Sequence, residues 1–142
     1  MNQPSPTHHL GMIGQLLVQT RLLQFGVEAA PPLTDSGNDL IAIRFPSIHT
    51  IQVKTRRKQS LNLGKIPKRF SILALVHIAE GEERHTIDLE RSSVYLLPAN
   101  VADDRSFNRE TLKHYVLSEA AVNDFFEPSE SQRFWDAEAG ED

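Results

Sequence analysis

The stretch that most constrains this chain lies between residues 35 and 57, where two apolar, β-branched runs are separated by a proline and a serine. Leu40 to Phe45 and Ile48 to Thr55 have the length of strands, and Pro46-Ser47 has the composition of a tight turn. The pattern predicts a β-hairpin. With Pro46 and Ser47 as its loop, residues whose numbers sum to 93 face each other.

Three polar residues then fall on one face of this predicted hairpin. Asp39 is opposite Lys54, and Gln52 shares their face because side chains alternate between the two sides of a strand. The neighbouring positions are Ile, Val and Leu, and polar groups among apolar neighbours cost free energy unless they serve a site. We therefore take this face as the candidate active site.

Length and composition limit the classes of protein that remain. The chain has 142 residues, which indicates one domain with a core of its own. It has no cysteine, so disulfides and thiolate zinc sites are excluded. No apolar run reaches the roughly 18 residues of a membrane helix, and the first residues lack the features of a signal peptide. We expect a soluble, cytoplasmic protein.

The net charge of −4 conceals an uneven distribution. Residues 1–79 hold nine of the 15 Lys and Arg and three of the 19 Asp and Glu, which gives +6 there and −10 in residues 80–142. Six of the basic residues lie in residues 56–70, a segment without an acid. A basic half of this kind favours a surface that faces phosphates.

The other segments predict helices and further strands around the hairpin. The predicted helices are His8–Phe25, Asn108–His114 and Ser118–Phe126; the predicted strands are Val27–Ala30, Leu40–Phe45, Ile48–Thr55, Ser71–Ala79, Thr86–Leu89, Ser93–Leu97 and Tyr115–Leu117. This order indicates an α/β (or α+β) single domain, a central mixed β-sheet flanked by helices, over residues 1–135. Phe134-Trp135 is expected to dock a last turn, and the acidic residues 136–142 to form a disordered tail.

Two single-residue patterns add expectations about packing. Gly11 and Gly14 lower the helix propensity of the first helix and suit a place where another backbone approaches closely. His77 lies inside the apolar run 71–79, and we interpret it as a hydrogen-bonded core histidine.

Three segments resemble the PD-(D/E)XK nuclease superfamily, which includes restriction enzymes, Holliday-junction resolvases and a branch of homing endonucleases. They are Gly14-Gln15 in the first helix, Gly-Asn-Asp-Leu-Ile-Ala at residues 37–42 and Ile-Gln-Val-Lys-Thr at residues 51–55. The family pattern is an Asp at a strand start, an acid-x-Lys on the next strand and an earlier helical Glu. Asp39 and Lys54 match it, while Gln52 and Gln15 stand where acids are commoner. The Gln-x-Lys form resembles a variant of the homing-endonuclease branch.

The resemblance implies a restriction-endonuclease-like fold and a DNA endonuclease that depends on Mg²⁺ (or Mn²⁺). Asp39, the Gln52 side-chain oxygen and the Val53 carbonyl would then hold the metal, because Mg²⁺ prefers oxygen ligands. Lys54 would act on the attacking water, and Gln15 would complete the catalytic set, with Asp35 as a possible helper. The residues that would hold the DNA backbone are Arg56, Arg57, Lys58, Lys65, Lys68 and Arg69.

Three further points stay open at this stage. Two amides at acid positions weaken the attraction for a metal, so the alternative is a catalytically inactive nucleic-acid-binding or partner-docking domain on the same fold. The acidic C-terminal half could dock a protein partner through residues 118–142, and RNA is an alternative substrate to DNA. One active site cuts one strand, so we expect a homodimer or a higher homo-oligomer.

Overall fold

The structure is a computed structural model that describes residues 6–34, 37–57, 60–66, 69–83 and 85–128. These residues form one sheet with helices on both of its faces. The helices are α1 (Pro6–Leu23), α2 (Ala99–Asp103), α3 (Arg109–Leu112) and α4 (Glu119–Phe125), with a 3₁₀ turn at Lys113–Tyr115. The strands are β1 (Glu28–Ala30), β2 (Leu40–Arg44), β3 (Ser47–Arg57), β4 (Ile72–Glu80) and β5 (Ile87–Pro98).

The five strands are ordered β1-β2-β3-β4-β5, and the sheet is mixed. Strands β3 and β4 are parallel, whereas the other three neighbouring pairs are antiparallel. A parallel pair needs a long crossover, and the basic segment 58–71 supplies it. The described part of that segment, residues 60–66 and 69–71, contains no helix or strand, as expected. The predicted fold class, an α/β domain with a mixed sheet flanked by helices, is confirmed.

Each face of the sheet is covered by a different set of elements. On the first face, here the helix face, α1 and α4 pack on alternate residues of the strands, such as Leu40, Ile51 and Val76. On the second face, here the loop face, Leu63 of the crossover packs with residues of α2 and α3 on Leu73, Leu75 and Leu97. Because residues alternate, the even-numbered side chains of β3 lie on the loop face. Gln52, Lys54 and Arg56 therefore share that face with Leu73, Leu75 and His77 of β4.

Helix α1 approaches the sheet most closely at Gly14. A Cβ atom at this position would lie 1.9 Å from the Thr55 hydroxyl oxygen, so only glycine fits. At the other glycine of the helix, Gly11, no atom of the described residues would lie within 4 Å of a Cβ atom. The close approach at Gly14 is made by the Thr55 side chain, not by a backbone as expected, and Gly11 has no such neighbour in the described part of the chain.

Arg44 of β2 is an ion buried on the helix face, only 4% exposed. Its guanidinium donates hydrogen bonds to acceptors at the ends of two helices: the carbonyl oxygens of Phe25, Phe126 and Glu127 and the Asn123 side chain. Helix C-termini favour positive charge, and a buried guanidinium is tolerated when its donors are satisfied. Arg44 thereby ties the ends of α1 and α4 to the sheet.

The hairpin register differs from the prediction. Arg44 pairs with Ser47 and Leu40 with Ile51, so the loop is Phe45-Pro46. The residue numbers of each facing pair therefore sum to 91 instead of the predicted 93. Ser47 can join the ladder because, unlike Pro46, it has an N–H, and its hydroxyl accepts a hydrogen bond of 2.9 Å from the Glu127 N–H. The shift is two residues, so every side chain keeps its face while Asp39 moves from opposite Lys54 to opposite Gln52.

Three other element predictions need correction. Thr86–Leu89 and Ser93–Leu97 are parts of one strand, β5, which pairs along β4 through a local irregularity near Ile78. Tyr115–Leu117 is not a strand, because Val116 makes only an isolated bridge to Tyr95. Helix α2 was not predicted, and Pro98, which follows the predicted strand Ser93–Leu97, leads directly into it.

Several expectations fall outside the described residues. They concern Asp35, Lys58, Lys68, the Phe134-Trp135 turn and the tail 136–142. The domain end at residue 135 and the expected homo-oligomer remain predictions. Within the described part of the chain, no helix is both long and apolar enough to cross a membrane.

The contact between Gly14 and Thr55 predicts a specific loss of stability. Gly14→Ala should lower the free energy of unfolding by about 1–3 kcal/mol, because the new methyl group overlaps the Thr55 side chain. Gly11→Ala is the matched control, and it should be neutral or stabilising by up to about 1 kcal/mol. Urea denaturation of both variants measures the difference. Equal stabilities would contradict the close packing at Gly14.

Candidate active site

Asp39 lies immediately before β2, where the ladder between β2 and β3 ends. Its N–H donates to the Ile51 carbonyl at 3.1 Å, and its Oδ2 accepts a hydrogen bond of 2.8 Å from the Val53 N–H. The carboxylate thus takes the place that a backbone carbonyl of β2 would occupy if the strand continued. Two bonds to β3 fix its position without using its second oxygen, Oδ1.

Two residues that neighbour Asp39, one in the chain and one across the ladder, have side-chain amide oxygens that lack partners among the described residues. The Asn38 Oδ1 and Gln52 Oε1 atoms are buried and accept no hydrogen bond within the described part of the chain. Asn38 precedes Asp39, and Gln52 is the residue opposite Asp39 in the register of the hairpin. Leaving such an acceptor buried and unpaired costs about 1–3 kcal/mol. Gln52 therefore presents an acceptor without a donor on the sheet face of Asp39, and Asn38 presents a second one at the adjacent chain position.

The Val53 carbonyl lies on the same side of β3 as its N–H. In a strand, the N–H and C=O of one residue point in the same direction, toward the same neighbouring strand. Because the Val53 N–H donates to Asp39, its carbonyl is also turned toward the space that β2 leaves at Asp39. The Asp39 carboxylate, the Gln52 side chain and the Val53 carbonyl therefore belong to one corner of the sheet, and Asn38 is next to Asp39 in the chain.

Lys54 is half-buried on the loop face and is held by the crossover. Its Nζ donates to the Lys65 carbonyl at 2.9 Å. Burial is the main cause that lowers the pKa of Lys54, and the charges of Arg56 and Arg105 lower it further. The Asp39 carboxylate acts in the opposite direction and raises the pKa of Lys54.

The carbonyl groups of the crossover face other cations as well. Arg56 donates from Nε to the Asn62 carbonyl at 2.5 Å, and Arg105 donates to the Gly64 carbonyl at 2.7 Å. Arg56 also bonds its own neighbour, the Thr55 carbonyl, at 2.9 Å. The crossover is thus anchored over the loop face by cations that bind its backbone, and it places the Lys65 carbonyl against Lys54.

The structure brings together part of the predicted site set. Asp39, Gln52, Val53 and Lys54 share one corner of the sheet, whereas Gln15 lies on α1, next to Gly14 and on the helix face. No hydrogen bond joins Gln15 to Asp39, Gln52 or Lys54 in the described residues, so its role stays a prediction.

Among the predicted DNA-contacting residues that the structure describes, three are exposed: Arg57, Lys65 and Arg69. Arg56 is only partly exposed and binds the crossover. Phosphate contacts by these residues stay a prediction.

Two residues of the site were not identified from the sequence. Asn38 lies in the loop before β2, where Asn is common, and its buried oxygen is visible only in the fold. Arg105 lies 51 positions after Lys54 in the chain, and no local pattern connects them. The Asn-Asp pair at the start of β2 is the one signal in the sequence that could have pointed to Asn38.

The oxygen set fits a hard divalent cation. A carboxylate, two amide oxygens and a backbone carbonyl are the ligand types that Mg²⁺ accepts, with waters completing its shell. No group of three or more His, Cys, Asp or Glu that could hold a metal occurs among the described residues. A metal here would therefore depend on Asp39 for charge and on neutral oxygens for the remaining protein ligands.

Comparisons with known proteins give little further information. No family model matches the chain, and no curated protein does. Among solved structures, the chain is similar to a bacterial homing endonuclease, I-Ssp6803I, with 19% identity, 73% of this chain and 75% of that chain covered, and a TM-score of 0.45. A likeness this distant does not assign a function.

The environment of Lys54 predicts a change in stability with pH. The folded protein holds the Lys54 proton less tightly than the unfolded chain, so the charged side chain destabilises the fold below its lowered pKa. This loss of folding stability disappears as the pH rises past the ordinary pKa of lysine, because the side chain is then neutral in both states. Lys54→Met should therefore raise the melting temperature near neutral pH, and the gain should shrink in alkaline solution.

Calorimetry over a range of pH measures this gain. The exposed Lys113 provides the control, and Lys113→Met should leave the melting temperature nearly unchanged. A lower melting temperature for Lys54→Met at neutral pH would show that Lys54 stabilises the fold instead.

Proposed function

We propose that this protein is a Mg²⁺-dependent DNA endonuclease of the PD-(D/E)XK type. The observation that carries the proposal is the pair of buried, unpartnered amide oxygens of Asn38 and Gln52, which neighbour Asp39 in the chain and across the ladder, with Lys54 on the same sheet face as Gln52. A divalent cation would give such oxygens a partner, and a nearby ammonium would stabilise the charge that develops when a phosphodiester is hydrolysed.

Asp39, Gln52 and the Val53 carbonyl would hold the ion, and Asn38 would add a fourth oxygen. The bond from the Val53 N–H keeps one carboxylate oxygen in place and leaves the other for the ion. When bound, the ion supplies positive charge to the phosphoryl oxygens and lowers the pKa of a bound water. The amides contribute oriented dipoles without adding charge, so affinity rests mainly on Asp39.

Lys54 would act on the water and on the developing charge. Its ammonium is held by the Lys65 carbonyl, which leaves two of its three donors for a phosphate oxygen and for the attacking water. Its lowered pKa increases the fraction of neutral amine in mildly alkaline solution, where the amine can accept a proton. Part-burial also strengthens its attraction for a phosphate, because fewer waters compete.

The exposed basic residues would hold the substrate. Arg57, Lys65 and Arg69 belong to the crossover or its ends, close to Lys54 in the chain and uncovered by other elements. Together with the expected contacts of Arg56, Lys58 and Lys68, they would bind the DNA backbone through charge, a salt-sensitive and sequence-independent interaction. Cleavage of both strands would require a second copy of the site, hence a homodimer or a higher homo-oligomer.

A second candidate is favoured by the single carboxylate. With only Asp39 to supply charge, and no group of three acidic or imidazole ligands among the described residues, the site could bind nucleic acid or a partner without cleaving it. Such a domain would show salt-dependent DNA binding and no effect of Mg²⁺ on stability. Cleavage assays distinguish the two candidates.

The proposal predicts which substitutions abolish cleavage. Asp39→Ala and Lys54→Met should each lower the rate by about 10²–10⁴-fold, as expected when a metal ligand or a group acting on the water is removed. Plasmid and linear DNA incubated with Mg²⁺ or Mn²⁺ provide the assay. The exposed residues Asp124 and Lys113 are matched controls, and Asp124→Ala and Lys113→Met should retain full activity. Activity that survives the loss of Asp39 or Lys54 would refute the site.

A second prediction concerns the metal alone. Gln52→Glu keeps the shape of the side chain and adds a negative charge, so it should tighten Mn²⁺ binding by roughly ten-fold. Gln52→Leu should weaken it. Electron paramagnetic resonance of added Mn²⁺ measures free and bound ion without DNA. Equal affinities in all three proteins would show that Gln52 is not a ligand.

A further inference from the structure

A second concave surface lies on the loop face, beside the C-terminal half of β4. It is a cleft of about 600 Å³ between β4, β5 and α3. Its polar lining residues are His77, Glu80, Arg91, Ser93, Tyr95 and Arg109. None of them belongs to the corner that holds Asp39 and Gln52.

The two arginines of the cleft carry charge that nothing neutralises among the described residues. The guanidinium groups of Arg91 and Arg109 make no hydrogen bond or ion pair with any described residue, and both residues are exposed. Glu80 is the only acid in the described lining and lies at the end of β4. Two free guanidinium groups opposite a single carboxylate leave the cleft positive, which favours an anion.

His77 and Tyr95 form the floor of the cleft in a fixed arrangement. The His77 Nε2–H donates to the Ser60 carbonyl at 2.8 Å, and its ring meets the Tyr95 ring edge-to-face at 5.3 Å. The expectation that His77 is a hydrogen-bonded core histidine is confirmed, since it is 7% exposed. It also lines the cleft, and Nδ1 remains as the polar atom of the ring that the Ser60 bond does not use.

The chemistry of this lining matches a phosphate group. Two guanidinium groups and the Ser93 and Tyr95 hydroxyls can together surround the oxygens of a phosphate with donors. Because His77 is held by two contacts, part of the site is ordered before a ligand binds.

We propose that this cleft is a phosphate-binding subsite for a phosphate ester, either in a nucleic acid strand or in a free nucleotide. In the sheet, Arg56 pairs with His77 and Lys54 with Leu75, so His77 is one strand across and two residues along from Lys54. Strand geometry places their Cα atoms about 8 Å apart. A nucleic acid strand bound over the crossover would bring one of its phosphates to the cleft. The phosphate site itself does not depend on the proposed nuclease function, but a nucleic acid strand as its ligand rests on that function.

The test is a titration of the ¹⁵N-labelled full chain, free of divalent ions, followed by NMR. Inorganic phosphate, a deoxynucleoside monophosphate and a short single-stranded oligonucleotide are the three probes. We expect phosphate to shift the resonances of residues 77–80 and 91–95. Arg91→Ala and Arg109→Ala should each weaken phosphate binding by about ten-fold, as expected for loss of one charged hydrogen bond. Arg109→Lys should retain part of the affinity.

Lys113 follows α3 and does not line the cleft, so Lys113→Ala is the matched control and should bind phosphate normally. Unshifted resonances elsewhere in the spectra establish that each variant is folded. If the arginine variants bind neither the oligonucleotide nor phosphate, the ligand is a nucleic acid strand. If they lose affinity only for phosphate and the mononucleotide, the ligand is a free nucleotide. Both results support the subsite.

Two results would overturn the phosphate subsite. One is a set of resonance shifts that maps outside the cleft, and the other is a phosphate affinity that is equal in Arg91→Ala, Arg109→Ala and the unsubstituted protein. The outcome is independent of cleavage. A cleft that binds phosphate in a protein that never cuts DNA would leave the subsite standing and remove the nuclease proposal. Cleavage of DNA without phosphate binding in the cleft would support the nuclease proposal and remove the subsite.

Discussion

The hydrogen bond from the Val53 N–H to the Asp39 carboxylate is the interaction on which the candidate site depends. At 2.8 Å it replaces the next rung of the ladder between β2 and β3, and it holds the carboxylate at the edge where pairing ends. The residue before Asp39 in the chain, Asn38, and the residue opposite it, Gln52, each have a buried amide oxygen without a donor among the described residues. A negative charge with unpaired acceptors on neighbouring residues is unfavourable for the fold by itself and favourable for a cation.

The crossover segment has a similar importance for the loop face. Carbonyls of residues 60–65 accept hydrogen bonds from side chains of the sheet and of the residues after α2. The pairs are Ser60 with His77, Asn62 with Arg56, Gly64 with Arg105 and Lys65 with Lys54. A loop without secondary structure thus gains a defined position, mainly from cations. In return it partly buries Lys54, which lowers the pKa of that amine. Part-burial of the Lys54 ammonium thus lowers the stability of the fold at the residue that the proposed chemistry uses. Such a trade-off between stability and activity is common at active sites.

The sequence predicted the polar face but not its geometry. Asp39, Gln52 and Lys54 were placed on one face correctly because side-chain alternation survives a register shift of two residues. The register itself depended on whether Ser47 belonged to the turn or the strand, and its contact with Glu127, 80 positions away, is invisible to local patterns. The same holds for Arg44, counted among the basic residues of the first half, which instead holds two helix ends. Asn38 and the arginines of the cleft require the fold, since their surroundings come from distant segments.

The most direct test of the central claim is a crystal structure of the protein soaked in Mn²⁺, with anomalous data collected to locate the ion. We expect one anomalous peak at coordination distance, about 2.0–2.3 Å, from both the Asp39 carboxylate and the Gln52 amide oxygen. The Lys54 ammonium should remain outside the inner shell of the ion. A fully soaked crystal with no peak at Asp39, or with ions only elsewhere on the surface, would contradict the metal site and favour a domain that binds nucleic acid without cutting it.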